Sequence, residues 1–379
     1  MISIIYLFNL LLTPIFGKYL ESLGTQRVLL VGLLILGLGN IILGACGYIE
    51  DPAAFFNLSV VSRITSAVGY SMATPASFTL VANEVNPKHK GKAAAIIEAS
   101  YGIGSMFGFS IGGIMYDVGG FQSPFYLMGS FSWILFVLCV VLLRSEARTQ
   151  SLEEAERDVK WTDILNSSEV FMGMFGTTVS AMGWQWYSAS IEVYFEDAFD
   201  LVSSETGLYL MMFGLIYTIA TPIFGYLTDK GFGGLELMIV GNFLIAVAFM
   251  FLGPIPPFQR MGGMLWIPIS CFGLQGAGTA AAYIGSLFYM MKGAASCGLP
   301  DTEQTRGMVT SLWICCDCLG GYMGATFGSL SFDNYGFQSS TMIMAGLALS
   351  GVLLTTLYAL RTKKFYYKSK DIKSPQQKN

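Results

Sequence analysis

Apolar stretches of about 20 residues follow one another along almost the whole chain, with short polar connections between them. A helix needs about that many residues to cross the roughly 30 Å hydrocarbon core of a bilayer, and only a helix satisfies its own backbone there. The pattern therefore predicts an all-α integral membrane protein. Eleven spans are expected, at 1–16, 28–49, 56–82, 93–116, 124–143, 169–194, 206–227, 235–253, 262–291, 307–330 and 341–360. The opening span, at 16 residues, would cover only about 24 Å. Charged residues make up 12% of the chain, against about 25% in a soluble domain. The 44 glycines fall largely inside the spans, where they let helices approach closely.

These features exclude several classes of function. The single histidine, His89, lies in a charged connection, so no histidine metal site can be assembled. The seven cysteines sit almost entirely in apolar stretches and read as packing residues. No catalytic constellation, metal site or cofactor motif is found, so no enzyme and no cofactor are expected. The basic tail reads as a topology determinant touching anionic lipid rather than as a nucleic-acid site.

Positive charge sorts the connections by side. Alternate connections and the tail hold 19 of the 21 Lys and Arg residues; Arg260 lies on the other side and Arg63 inside a span. By the positive-inside rule the basic side, including the C-terminus, is cytoplasmic. The opposite connections carry Glu50, Asp51, Asp117, Glu196, Asp197, Asp200 and Asp333. Eleven spans then place Met1 on the outer or lumenal side.

The chain is a duplication. Thr13-Pro14-Ile15-Phe16-Gly17 recurs as Thr221-Pro222-Ile223-Phe224-Gly225, and an acid follows each glycine by four residues, Glu21 and Asp229. Gly104, Gly108, Gly112, Asp117 and Gly120-Phe121-Gln122-Ser123 match Gly320, Gly324, Gly328, Asp333 and Gly336-Phe337-Gln338-Ser339, each pair 216 residues apart. The expected organisation is an N-terminal half at 1–143, a cytoplasmic linker at 144–168, a C-terminal half at 169–360 and a basic cytoplasmic tail at 361–379. Periods of this size mark repeated architectures.

Two parallel repeats joined by a charged loop resemble the major facilitator superfamily. Gly17-Lys18-Tyr19-Leu20-Glu21 and Gly225-Tyr226-Leu227-Thr228-Asp229-Lys230 resemble its paired loop motifs, which implies a gating role for Gly17, Glu21, Gly225, Asp229 and Lys230. The run Gly104, Gly108, Gly112-Gly113 is similar to the fifth-helix motif of proton antiporters, where flat glycine faces let the halves rock; Gly320, Gly324 and Gly328 repeat it. With Arg63 and Glu98, and with Glu192 in Ser180 to Tyr194, the chain resembles the vesicular amine transporter family, closest to its polyamine-transporting branch. The resemblance implies two six-helix-type halves related by pseudo-symmetry with 11 of 12 helices present. The first helix is the one without a match, so the chain as written is expected to transport inefficiently.

An ionisable residue at bilayer depth costs roughly 2.5–3.5 kcal/mol on insertion scales and marks function by default. Four are expected there: Arg63, Glu98, Glu192 and Asp317. The carboxylates can be contested by protons and by a cationic substrate, which is the coupling an antiporter requires. Trp184, Trp186 and Tyr187 are candidate cation–π lining. The expected partners are a small organic cation, protons and the lipid bilayer, with the chain a monomer in a secretory or other acidic intracellular vesicle membrane, the plasma membrane being the alternative. The expected function is proton-coupled antiport of polyamines or amines. A multidrug or other organic-ion carrier, or a truncated membrane protein that does not transport, is the alternative.

Overall fold

The computed structural model describes residues 2–84, 90–143, 160–188, 190–253, 264–300 and 302–362. Among these the chain is helical, with no strand: α1 (Ile2–Leu23), α2 (Thr25–Cys46), α3 (Pro52–Glu84), α4 (Lys90–Gly119), α5 (Gln122–Leu142), α6 (Trp161–Leu165), α7 (Ser168–Trp186), α8 (Ile191–Phe199), α9 (Ser203–Asp229), α10 (Gly234–Leu252), α11 (Trp266–Ser296) and α12 (Glu303–Thr362). Every expected span coincides with a long helical segment. Most of the linker at 144–168, His89, Arg260 and most of the basic tail lie outside the described residues.

Several boundaries differ from expectation. The opening helix is 22 residues long, about 33 Å, because helix continues through Gly17 and Lys18 to Leu23. The expected loop motif is thus helical, as is its counterpart, which ends only at Asp229. The span placed at 169–194 stops at Trp186, and the chain turns before α8. The last two spans form one element, α12, broken at Gly336, where φ is 75°. Gly120, its partner in the repeat, has φ 67° between α4 and α5. Glycine carries no Cβ, so at both places the chain leaves one span and enters the next without a loop.

Six described helices are long and apolar enough to cross a membrane by length and composition alone: α1, α2, α5, α9, α10 and α12. The remaining long helices, α3, α4, α7 and α11, carry more polar and small residues. All four contribute side chains to the interior cavity described below.

Packing follows the duplication. In α2 and α3, a Cβ on Gly32 would lie 2.8 Å from the Ala73 nitrogen; in α10 and α11, a Cβ on Gly241 would lie 2.5 Å from the Ala282 nitrogen. Two antiparallel seams join α1–α5 to α7–α12. In one, α1 lies along the first arm of α12, with Ser3 against Thr326, the Tyr6 ring against Gly321, and Gly17 against Ser311. In the other, α4 lies along α9, with Gly102 against Thr218, Met106 against Gly214, Phe109 against Gly207, and Gly113 against Ser203. In the α4–α9 seam backbone meets backbone because glycine stands at each crossing, the usual device for helix contact in lipid.

The glycine ladders have different surroundings in the two helix groups. Gly320, Gly324 and Gly328 receive the α7 backbone at Thr178, Met182 and Trp186, so they pack α12 against its own neighbour. Gly104, Gly108 and Gly112 have nothing within 4 Å among the described residues. Of the α4 ladder glycines, Gly113 lies in the α4–α9 seam, where it is joined by Gly102 of α4 and by Gly207 and Gly214 of α9. Gly102, Gly207 and Gly214 lie outside the repeat pattern.

Candidate functional site: an acid-bearing aromatic cavity

A cavity opens between the two seams. Tyr70, Thr74 and Phe78 of α3 and Glu98, Tyr101 and Ser105 of α4 form one wall. Trp184 of α7, Phe213 and Tyr217 of α9, Thr279 and Tyr283 of α11, and Trp313, Ile314 and Asp317 of α12 form the other. The lining is aromatic rings with two carboxylates and, among the described residues, no Lys, Arg or His. Such a space is shaped to hold an apolar or delocalised body while the acids select for positive charge.

Each carboxylate accepts a hydrogen bond from a tyrosine. The Tyr217 hydroxyl donates to Glu98 Oε2 and the Tyr283 hydroxyl donates to Asp317 Oδ1. Glu98 is only 4% exposed. A buried carboxylate needs such donors, since an isolated charge in low dielectric is costly. The Thr279 hydroxyl, buried in the same wall, has no hydrogen-bond partner among the described residues, leaving a polar atom to meet a bound molecule. Rings hold the second wall rigid: Trp184 lies 3.9 Å from Phe213 between centroids, and Tyr283 meets Trp313 edge-on at 5.2 Å.

The structure unites only some of the residues singled out in the sequence. Glu98, Asp317 and Trp184 share the cavity. Arg63 does not: it points from α3 toward α5, where its guanidinium lies 5.6 Å from the Phe125 ring centre and its Nε has no hydrogen-bond partner among the described residues. Glu192 is exposed on α8, beyond the turn that ends α7, and accepts a hydrogen bond from Ser203. Trp186 is buried and donates to the Ser340 carbonyl at 3.0 Å; Tyr187 packs on Phe249 and Phe272. Both are core residues: at 3.6 residues per turn Trp186 lies about 200° around α7 from Trp184, and Tyr187 caps the end of the helix. Gly17 sits in the α1–α12 seam, and Lys230 lies over the Tyr226 ring at 4.7 Å. The Glu21 side chain lies outside what the structure describes.

The sequence reading missed the tyrosines, although a signal for them was present. Gly32 and Gly69 recur as Gly241 and Gly278, each pair 209 residues apart, and the same offset carries Tyr70 to Thr279 and Thr74 to Tyr283. The 216-residue offset carries Tyr101 to Asp317. All six of these residues line the cavity, so the duplication's pseudo-symmetry runs through it.

Known proteins resemble the chain along most of its length. The family model described as "Major Facilitator Superfamily" matches residues 1–299 and 173–377. The chain is 26% identical over 358 residues to "MFS-type transporter SLC18B1" of Mus musculus, covering 93% of this chain and 76% of the relative. The Homo sapiens protein of the same name is 25% identical over 359 residues, with the same coverage. "Multidrug resistance protein 1" of Bacillus subtilis (strain 168) is 19% identical over 355 residues, covering 92% of this chain and 85% of the relative.

Proposed function

The chain belongs to the Major Facilitator Superfamily and is a multi-pass membrane transporter rather than an enzyme, and from that premise we propose that it exchanges protons for a small organic cation. The observation that carries the reading is the pairing of Glu98 and Asp317 in one aromatic cavity whose described lining holds no basic residue. A cationic substrate gains charge–charge attraction to the acids and cation–π attraction to Trp184 and Trp313. A proton on either acid removes the first of these terms. Substrate and proton therefore compete for the same two groups, the requirement for exchange.

In this reading, residues 1–143 and 169–360 move as two bodies about the cavity, exposing it to each side of the membrane in turn. The resemblance to polyamine transporters favours a polyamine or other amine as substrate and an acidic vesicle as the site of action. Two acids on opposite walls suit a molecule with more than one cationic centre. The aromatic lining also accommodates the broader substrates of a multidrug carrier, a second reading that the Bacillus relative favours.

The test is uptake of radiolabelled spermidine into proteoliposomes with and without an inward-acidic pH gradient, with monoamines and a lipophilic cation run alongside. Gradient-dependent spermidine uptake is expected. Uptake of the lipophilic cation alone would select the multidrug reading, and uptake indifferent to the gradient would sink proton exchange.

A further inference from the structure

The two carboxylates of the cavity differ in where their hydrogen-bond donors come from. Glu98 stands on α4 and its donor Tyr217 on α9, so this bond crosses the seam that joins α1–α5 to α7–α12. Asp317 stands on α12 and its donor Tyr283 on α11, so this bond stays within α7–α12. Glu98 lies one turn before Gly102, the first glycine of the α4–α9 crossing, and both Glu98 and Tyr217 are buried, at 4% and 2% exposure. Any motion that parts α4 from α9 must break the first bond. The second is untouched by it.

We propose, resting on the transporter reading above, that Glu98 and Tyr217 form a latch between the two helix groups that is released when a cation or proton claims the carboxylate, while Asp317 and Tyr283 form a standing cation anchor. The latch works by competition for one carboxylate. Protonated Glu98 is a poorer acceptor for the Tyr217 hydroxyl, and a bound cation draws the carboxylate toward itself. The titratable groups that share the cavity with Glu98 are Tyr70 on α3, Tyr101 on α4, Tyr217 on α9, Tyr283 on α11 and Asp317 on α12. The acidic end of the same seam is closed by the Asp117 carboxylate, which accepts from the Ser204 N–H at 3.2 Å, and by Gly113 packed on Ser203. Opening the acidic end of the bundle therefore has to part these contacts as well as the latch. Tyr217 is a positioning residue in this scheme, acting through Glu98 on the relation between the two groups.

The test reads distance and binding separately, on the full chain in nanodiscs. Spin labels at Tyr48→Cys and Tyr335→Cys, in a background carrying Cys139→Ala and Cys297→Ser, report the separation of the two groups at the acidic end; both sites are highly exposed, at 72% and 68%. Without ligand, Tyr217→Phe should raise the ratio of long to short distances about tenfold, the scale of one hydrogen bond to a charged acceptor. Glu98→Gln, which keeps an acceptor oxygen and loses the charge, should shift the ratio the same way; it decides the matter if the Tyr217 variant is not monodisperse. Tyr283→Phe should leave the distances as in the parent while weakening spermidine binding about tenfold. An unchanged distribution in the Tyr217 and Glu98 variants, or an equal shift in Tyr283→Phe, would overturn the proposal. If spermidine fails to bind the parent, the substrate reading falls, and the ligand-free distances still decide the latch.

Discussion

At the scale of single residues, the cavity sorts side chains that look alike in the sequence. Glu98, Asp317, Glu192 and Arg63 all fall in or beside apolar stretches, yet only the first two share the enclosed space. Glu98→Gln and Asp317→Asn should each lower gradient-driven uptake in proteoliposomes by more than tenfold with protein yield retained. Glu192→Gln should leave uptake within about twofold, since that carboxylate is exposed on α8. Uptake at parental rates in both of the first pair would reduce those acids to packing features. The tryptophans separate in the same way. Trp184→Ala removes a ring that a cation could face, worth about 1 kcal/mol or roughly fivefold in affinity, readable by spermidine binding. Trp186→Phe removes an indole that donates to Ser340; it should lower thermal stability in detergent and leave affinity near the parent's. A reversal of these two outcomes would mean that α7 presents a different face.

At the scale of helices, equivalent glycines have inequivalent surroundings. A leucine at Gly324 would drive into the α7 backbone at Met182, whereas a leucine at Gly108 would enter open space. Overpacking of a close contact costs typically 1–3 kcal/mol. Gly324→Leu should therefore lower the thermal midpoint by several degrees or abolish monodisperse expression, and Gly108→Leu should do neither. Fluorescence-detected size exclusion with a thermal ramp compares them directly; equal damage from both would show that the α4 ladder is covered. Gly113→Leu and Gly214→Leu, in the α4–α9 seam, should behave like Gly324→Leu. The same contrast shows what the ladder motif leaves open when read alone. Small residues four apart tell that something can approach closely, and only the folded arrangement tells what does.

At the scale of the whole molecule, the positive-inside rule predicts that the linker at 144–168 and the tail after Arg361 face the cytosol. Epitope tags at these two places should be reachable by antibody when only the plasma membrane is permeabilised; a tail reachable only after organelle membranes are opened would reverse the topology. The number of spans and their duplication were legible in the sequence because each rests on local or periodic information. Twenty apolar residues make a span wherever they occur, Lys and Arg collect on one side, and a repeat survives as matched spacing. Glu98 and Asp317 were legible for a similar reason, since a charge in an uncharged span is visible without a fold. The helix ends were less so: α1 runs on through Gly17 because the bundle packs that glycine against α12, a contact 294 residues distant in sequence between Gly17 and Ser311. Tertiary structure alone decided that Arg63 faces α5, that Trp186 and Tyr187 are core, and that tyrosines rather than basic residues attend the two acids. These outcomes depend on the rotation of each helix about its own axis. That rotation is fixed by which neighbour buries which face, and a near-uniformly apolar helix in lipid carries little periodic signal to announce it.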